Sequence, residues 1–160
     1  MAKEIEHKYL VTDRSYRHMQ SSQVEIVQGY LSREPDRTVR IRTAGNAAFI
    51  TVKGRNNGLS RLEFEFAIPL EDAKQMLEIC EPPIIEKIRH FVPFGGFVWE
   101  VDEYLGALSG LTTAEIEVPS VDTNYPLPPF VGKEVSDDAR YFNSSLTGTS
   151  AVNLINDQLK

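Results

Sequence analysis

The sequence predicts an α+β fold: an eight-stranded antiparallel β-barrel, or tunnel, with a charged lumen and helices packed on its outside. Three observations lead there. Apolar and polar residues alternate with period two along most of the 160-residue chain, whereas helical spacing is confined to short stretches. On nearly every strand the polar positions are charged, and adjacent same-face positions often hold charges of like sign. Closing the sheet with those faces inward lets the apolar faces meet the helices.

The elements follow in order. Lys3 to Val11 alternates strictly and reads as the first strand, and a short helix is expected near Asp13 to Met19. Val24 to Ser32, Thr38 to Thr43 and Ala48 to Lys53 alternate next, the last two joined as a hairpin by Ala44-Gly45-Asn46-Ala47. Arg61 to Ile68 is the fifth strand. The spacing then turns helical: Leu70, Ala73, Met76, Leu77 and Cys80 share a face, Pro69 marks the start and Pro82-Pro83 the stop. Strands resume at Ile84 to Val92, Phe97 to Tyr104 and Thr113 to Val118, with Gly95-Gly96 turning the hairpin between the first two. After a Pro-rich connection, Ser136-Asp137-Asp138 offers an N-cap and acidic first turn for a helix through Ala139 and Phe142. The tail from Ser150, with Val152, Leu154, Ile155 and Leu159, reads as another helix.

Composition bounds the function. No repeat, low-complexity stretch or linker divides the chain, so residues 1–160 are expected to form one domain. Lys+Arg 17 against Asp+Glu 23 gives a net charge of -6, a field that repels nucleic acid and anionic membranes. No apolar run reaches the roughly 20 residues of a membrane-spanning helix. Met1 to Lys8 lacks the apolar core of a signal peptide, so a cytoplasmic location is expected. The single cysteine, Cys80, excludes an internal disulfide and a Cys-based zinc site, and reads as a buried helix thiol. His7, His18 and His90 lack metal-ligand spacing, and no GxxxxGK[ST] loop is present.

The charges then specify a ligand class. Glu4, Glu6 and Lys8 share one face of the first strand; Arg40 and Arg42 share another; Arg61, Glu63 and Glu65 a third. Lys53, the Lys87/Arg89 pair, the Glu100/Asp102 pair and the Glu115/Glu117 pair complete the set. Like charges side by side repel, and they persist where opposite charge or a ligand compensates. Arginine and lysine clusters bind phosphate oxygens. Carboxylate clusters hold hard divalent cations, which bridge to phosphate. Both signs in one lumen point to a metal–polyphosphate complex.

Glu4-Ile5-Glu6-His7-Lys8 resembles the ExExK signature of the CYTH superfamily, the triphosphate tunnel metalloenzymes. The resemblance continues through Gln28-Gly29-Tyr30, Val39-Arg40-Ile41-Arg42, Val52-Lys53-Gly54, Arg61-Leu62-Glu63-Phe64-Glu65, Glu86-Lys87-Ile88-Arg89, Trp99-Glu100-Val101-Asp102, Ala114-Glu115-Ile116-Glu117, Gly132-Lys133-Glu134-Val135 and Arg140-Tyr141-Phe142-Asn143. It covers nearly the whole chain and is nearest to short bacterial inorganic triphosphatases. His7 stands where such proteins often carry Arg.

The resemblance implies hydrolysis of inorganic triphosphate, or a related small-molecule triphosphate, with Mg2+ or Mn2+. It assigns Glu4, Glu6, Glu115 and Glu117 to the metal, and Lys8, Arg40, Arg42, Lys53, Lys87 and Arg89 to the phosphates. Glu63, Glu65 and Asp102 serve as further ligands or acceptors in the catalytic set, and a carboxylate whose identity the sequence leaves open sets the line of attack of a water acidified by the cation; Lys8 and Tyr30 join the catalytic set, Tyr30 for proton transfer. A class IV adenylyl cyclase, a thiamine triphosphatase and a non-catalytic polyphosphate-binding module are the alternatives. A tunnel plug formed by the final helix, a homodimer, and a base-tolerant mouth near Tyr104 and Arg33 to Arg37 also stand as expectations.

Overall fold

The computed structural model describes the backbone of residues 3–58, 60–142 and 146, with side chains from residue 5 onward. Its elements are β1 (Lys3–Val11), α1 (Tyr16–Met19), β2 (Ser22–Ser32), β3 (Arg37–Ala44), β4 (Ala47–Gly54), β5 (Ser60–Ala67), α2 (Leu70–Glu78), β6 (Glu81–Phe94), β7 (Phe97–Tyr104), β8 (Thr112–Glu117) and β9 (Val131–Glu134). Short 3-10 turns lie at Gly106–Leu108 and Ala139–Tyr141.

The sheet runs β5-β4-β3-β2-β6-β7-β8-β1-β9, and an additional β5–β1 pairing closes it. Eight antiparallel strands make the barrel. The closing strand is shared: one edge of β1 pairs with β8 over Glu6 to Leu10, while the other pairs with β5 over Lys3 to Ile5 and with β9 at Tyr9 and Val11. The ninth strand is an addition to the sequence reading. Val-Gly-Lys-Glu is four residues long and shows no alternation, so nothing in it signals a strand until β1 offers an edge.

Turn chemistry fixes two hairpins. Gly45 takes φ 60° between Ala44 and Ala47, and Gly95 and Gly96 take φ 61° and 83° between Phe94 and Phe97, a region closed to most side chains. Strand β6 starts at Glu81, ahead of the expected Ile84, so Pro82-Pro83 lies within it rather than before it. The β2–β6 register shifts between Gln28 and Tyr30 beside those prolines, and an irregular pairing tolerates a missing N–H.

The outer wall is covered in two places. Helix α2 lays Ala73, Leu70, Met76 and Leu77 on Ile41, Ala48 and Ile50 of β3 and β4, with Cys80 in the same cluster. Burial pushes the Cys80 thiol above its ordinary range. The chain approaches so closely here that a Cβ on Gly29 of β2 would sit 2.9 Å from Cys80 Cβ. On the opposite wall Trp99, Val101, Ala114 and Ile116 pack under Tyr16 of α1 and Phe130. The outer face of β5 stays open, with Phe66 61% exposed.

A third cluster lies inside. Leu10, Tyr30, Ile85, Tyr104, Leu108, Leu111, Val135, Tyr141 and Leu146 fill one end of the barrel. Their strand positions follow the lumen alternation: Leu10 continues Lys8, Tyr104 continues Asp102, and Ile85 precedes Lys87. The lumen expected to be polar throughout is therefore plugged with apolar side chains at one end. Tyr104 belongs to that plug and is 3% exposed, so it is not at a mouth.

The helix expected from Ser136 to Phe142 shrinks to the turn Ala139–Tyr141. Its cap is Asp138, whose carboxylate accepts from the Arg140 N–H, because Ser136 is turned toward β1. The helix expected from Ser150 lies outside the described residues.

Candidate active site

Alternation delivers the charged side chains to one cavity of about 540 Å³. Its acidic wall is built by β1, β8 and β7. Glu6 stands directly across from Glu117, and Glu115 is flanked by Lys8 on one side and Glu100 on the other. Burial opposes the Lys8 charge, yet Glu115 and Glu6 hold its ammonium above the ordinary range; Lys8 Nζ lies 3.2 Å from Glu115 Oε1. Burial likewise opposes the Glu115 charge, and Lys8 and Arg89 override it, so its carboxyl titrates well below the usual range. Glu100 goes the other way: desolvation outweighs Arg89 and raises it.

The basic wall comes from β3, β4 and β6. Burial, then the neighbouring Arg40 and Arg89 guanidiniums, pull Arg42 down to about 10. Glu65 Oε1 answers part of this charge: it accepts from Arg42 Nη2 at 3.2 Å and Thr51 Oγ1 at 2.9 Å, with Arg40 Nη2 at 3.7 Å. The Nε atoms of Arg40 and Arg42 are buried and have no hydrogen-bond partner among the described residues. Buried donors are almost always satisfied, so unpartnered guanidinium nitrogens beside a cavity mark a place for an anion.

Beneath the cavity lies a buried ion cluster. Asp102 takes Arg89 in a bidentate pair, Nε at 2.8 Å and Nη2 at 3.0 Å, and Lys87 Nζ at 2.8 Å. Desolvation raises Asp102, but Arg89 and Lys87 dominate and bring it to about 2. Lys87 is fully buried, and desolvation lowers it to about 8 despite Asp102. Arg89 reaches up from this cluster, donating Nη1 to Glu100 at 3.2 Å.

The structure thus gathers Glu6, Lys8, Tyr30, Arg40, Arg42, Lys53, Glu63, Glu65, Arg89, Glu115 and Glu117 around one cavity. Lys87 and Asp102 sit below its floor, at 0% and 1% exposure. Glu4 lies in β1 across from Arg61, and its side chain is outside the described residues. Sequence reasoning placed Glu100 in the lumen without a role, and missed Thr51, Ser136 and Phe142. Thr51 was legible, since it shares a face with Lys53. Ser136 carried only a capping signal.

The residues suit a divalent cation. Directly opposed Glu6 and Glu117, with Glu115 alongside, are an oxygen-only donor set whose mutual repulsion a hard cation relieves. Among the described residues no three such side chains form a ready cage.

Comparison with known proteins follows the same line. The CYTH domain model matches residues 2–146. The inorganic triphosphatase of Acetivibrio thermocellus is 44% identical over 147 residues, 91% of this chain and 94% of that protein. The inorganic triphosphatase of Nitrosomonas europaea is 34% identical, covering 89% and 95% of the two chains. A crystal structure of the inorganic triphosphatase NE1496 superposes with TM-score 0.64 at 30% identity, covering 91% and 94%.

Proposed function

The chain belongs to the CYTH domain family, and from that premise we propose that it hydrolyses inorganic triphosphate inside its barrel. The observation that carries the reading is the confrontation of two walls across one cavity: under-neutralised Arg40 and Arg42 on one side, and Glu6, Glu115 and Glu117 on the other. An anion alone suits the first wall and a cation alone the second. A metal–triphosphate complex suits both.

Water attacks a terminal phosphorus, the P–O bond to the bridging oxygen breaks, and pyrophosphate leaves with the electron pair. Such a reaction asks the protein for position and charge. Arg40, Arg42, Lys53 and Arg89 bind phosphate oxygens. Lys8, held protonated by its acidic neighbours, stabilises charge on the leaving oxygen. Glu63 and Glu65 orient water from β5, and Tyr30, which lines the cavity, takes the proton-transfer role. Asp102 acts at one remove, through its grip on Arg89, and Lys87 supplies fixed positive charge from below. Glu6, Glu115 and Glu117, with Glu4, would hold Mg2+ or Mn2+. When bound, the ion neutralises phosphate charge and acidifies water.

The same proposal takes residues 1–160 as one domain acting in the cytoplasm. No helix among the described residues is long and apolar enough to cross a membrane. The test is phosphate release and cyclic-nucleotide formation measured side by side on tripolyphosphate, ATP and thiamine triphosphate, with magnesium or manganese. Phosphate from tripolyphosphate is expected. Binding without turnover on every substrate, or cyclic AMP as main product, would sink the reading.

A further inference from the structure

The edge of β1 changes partner in the middle of the site. Strand β5 covers Lys3 to Ile5 and β9 pairs from Tyr9 onward, so Lys8 lies at the gap between two partner strands. Its main chain is met by neither strand. The Lys8 N–H donates to Ser136 Oγ at 3.0 Å, and its carbonyl accepts from the Val135 N–H at 2.8 Å. Ser136 in turn donates its hydroxyl proton to Glu134 Oε2, the oxygen that also meets His7 Nδ1 at 2.7 Å.

The chain then folds back. Asp138 N–H donates to Val135 O at 3.0 Å and Tyr141 N–H to Asp138 O at 3.1 Å, which brings the Tyr141 carbonyl to the Lys8 ammonium at 2.9 Å. One short segment therefore holds Lys8 at its backbone nitrogen, its backbone oxygen and its side-chain nitrogen. A free lysine side chain gives up rotamer entropy when it is fixed. Here the ammonium is already fixed between Tyr141 O and Glu115 Oε1.

We propose that the segment Glu134–Tyr141 is a strap that positions Lys8 for the reaction, with the Ser136 hydroxyl as its positioning residue. Only a group that accepts and donates at once can join the Lys8 N–H to the Glu134 carboxylate, and a hydroxyl does so. The inference rests on the triphosphatase reading and adds a residue that acts through Lys8.

A double-mutant cycle tests it, using the full chain as wild type, Ser136→Ala, Lys8→Met and the double variant, with Ser136→Thr as the conservative rescue. Ser136→Ala should lower kcat/KM for tripolyphosphate about tenfold, as expected of a small misplacement, and Ser136→Thr should restore most of it. In the Lys8→Met background the same change should matter less than about twofold. Calorimetric binding of tripolyphosphate in EDTA repeats the cycle without turnover, with Ser136→Ala weakening binding only where Lys8 is present. Wild-type kinetics in Ser136→Ala, or equal losses in both backgrounds, overturn the strap. A wild type that binds but does not hydrolyse overturns the functional reading instead, and the binding cycle still decides the strap. Ser136→Cys, which keeps the side-chain shape in a slightly larger atom but hydrogen-bonds only weakly, replaces Ser136→Ala in the cycle if that variant does not fold.

Discussion

Asp102→Asn changes one oxygen to nitrogen and nothing in size, yet it removes the charge that joins Arg89 and Lys87. In the native protein the carboxylate faces three donors at 2.8 to 3.0 Å at 1% exposure. Breaking a buried pair by removing one partner costs about 3–5 kcal/mol, because the other charge stays buried. For a chain of this length each kcal/mol moves Tm by about 2–4 °C, so a fall of about 10 °C is expected. The pH dependence carries a second signature. The native Asp102 carboxyl titrates near 2, below the ordinary 3.8, so its contribution is present above pH 3.8 and is lost as pH falls toward 2. That interval is worth about 2 kcal/mol. Thermal melts by circular dichroism at pH 3, 5 and 7 read both effects: the gap between wild type and variant should be widest at pH 5 and 7 and shrink at pH 3. Adding Lys87→Met should recover part of the loss by removing one of the two stranded cations. An Asp102→Asn melt within about 2 °C of wild type at pH 7 would refute the cluster as an energetic unit.

Three further outcomes follow from the same geometry. Glu6→Gln or Glu117→Gln should lower turnover by a factor of about 100 or more while Tm holds or rises, since the change relieves a directly opposed pair; undiminished hydrolysis in excess EDTA would end the metal assignment. Arg40→Ala should weaken tripolyphosphate binding in a folded protein, whereas Ile41→Lys should cost about 3 kcal/mol or more, because Ile41 is fully buried among the residues under α2; melts and calorimetry on the two variants distinguish the faces. Lys87, lowered to about 8 by burial, is protonated at pH 7 at a cost that disappears as pH rises from 8 toward 10.5, so Lys87→Met, which also takes one cation from Asp102, should stand better relative to wild type at pH 7 than at pH 10, checked by urea midpoints.

The fold was legible because alternation is a local signal with a single geometric meaning. Eight strands could be read from residues such as Arg40/Ile41/Arg42 and Glu115/Ile116/Glu117, and the helical spacing of Leu70, Ala73, Met76 and Leu77 located α2. Strand β9 was not legible, since Val131–Glu134 becomes a strand only through the edge of β1. The helix read at Ser136 failed for a related reason. Its capping pattern is genuine, but the hydroxyl that would cap finds the Lys8 N–H, and Asp138 caps a shorter turn. A local preference gave way to a partner 128 residues away in sequence.

The site was legible in direction and not in depth. Period-two alternation says which face a side chain takes, and it assigns Lys87, Arg89, Glu100 and Asp102 to the lumen alike. What it omits is height along the barrel axis, which depends on how the strands are staggered when the sheet closes. The β6–β7 register sets Arg89 against Asp102 and Lys87 against Tyr104, one step nearer the apolar plug. There the lumen is too crowded for ligand, and the same residue types that bind phosphate higher up become a desolvated ion cluster. Arg89 spans the two levels, pairing with Asp102 below and Glu100 above. The charge of the floor therefore reaches the cavity through one guanidinium. Shortening that reach with Arg89→Lys should keep the net charge, break the bidentate pair with Asp102 and weaken tripolyphosphate binding about tenfold. A variant that binds as tightly as wild type in calorimetry would mean that the floor contributes charge alone and that its geometry is immaterial.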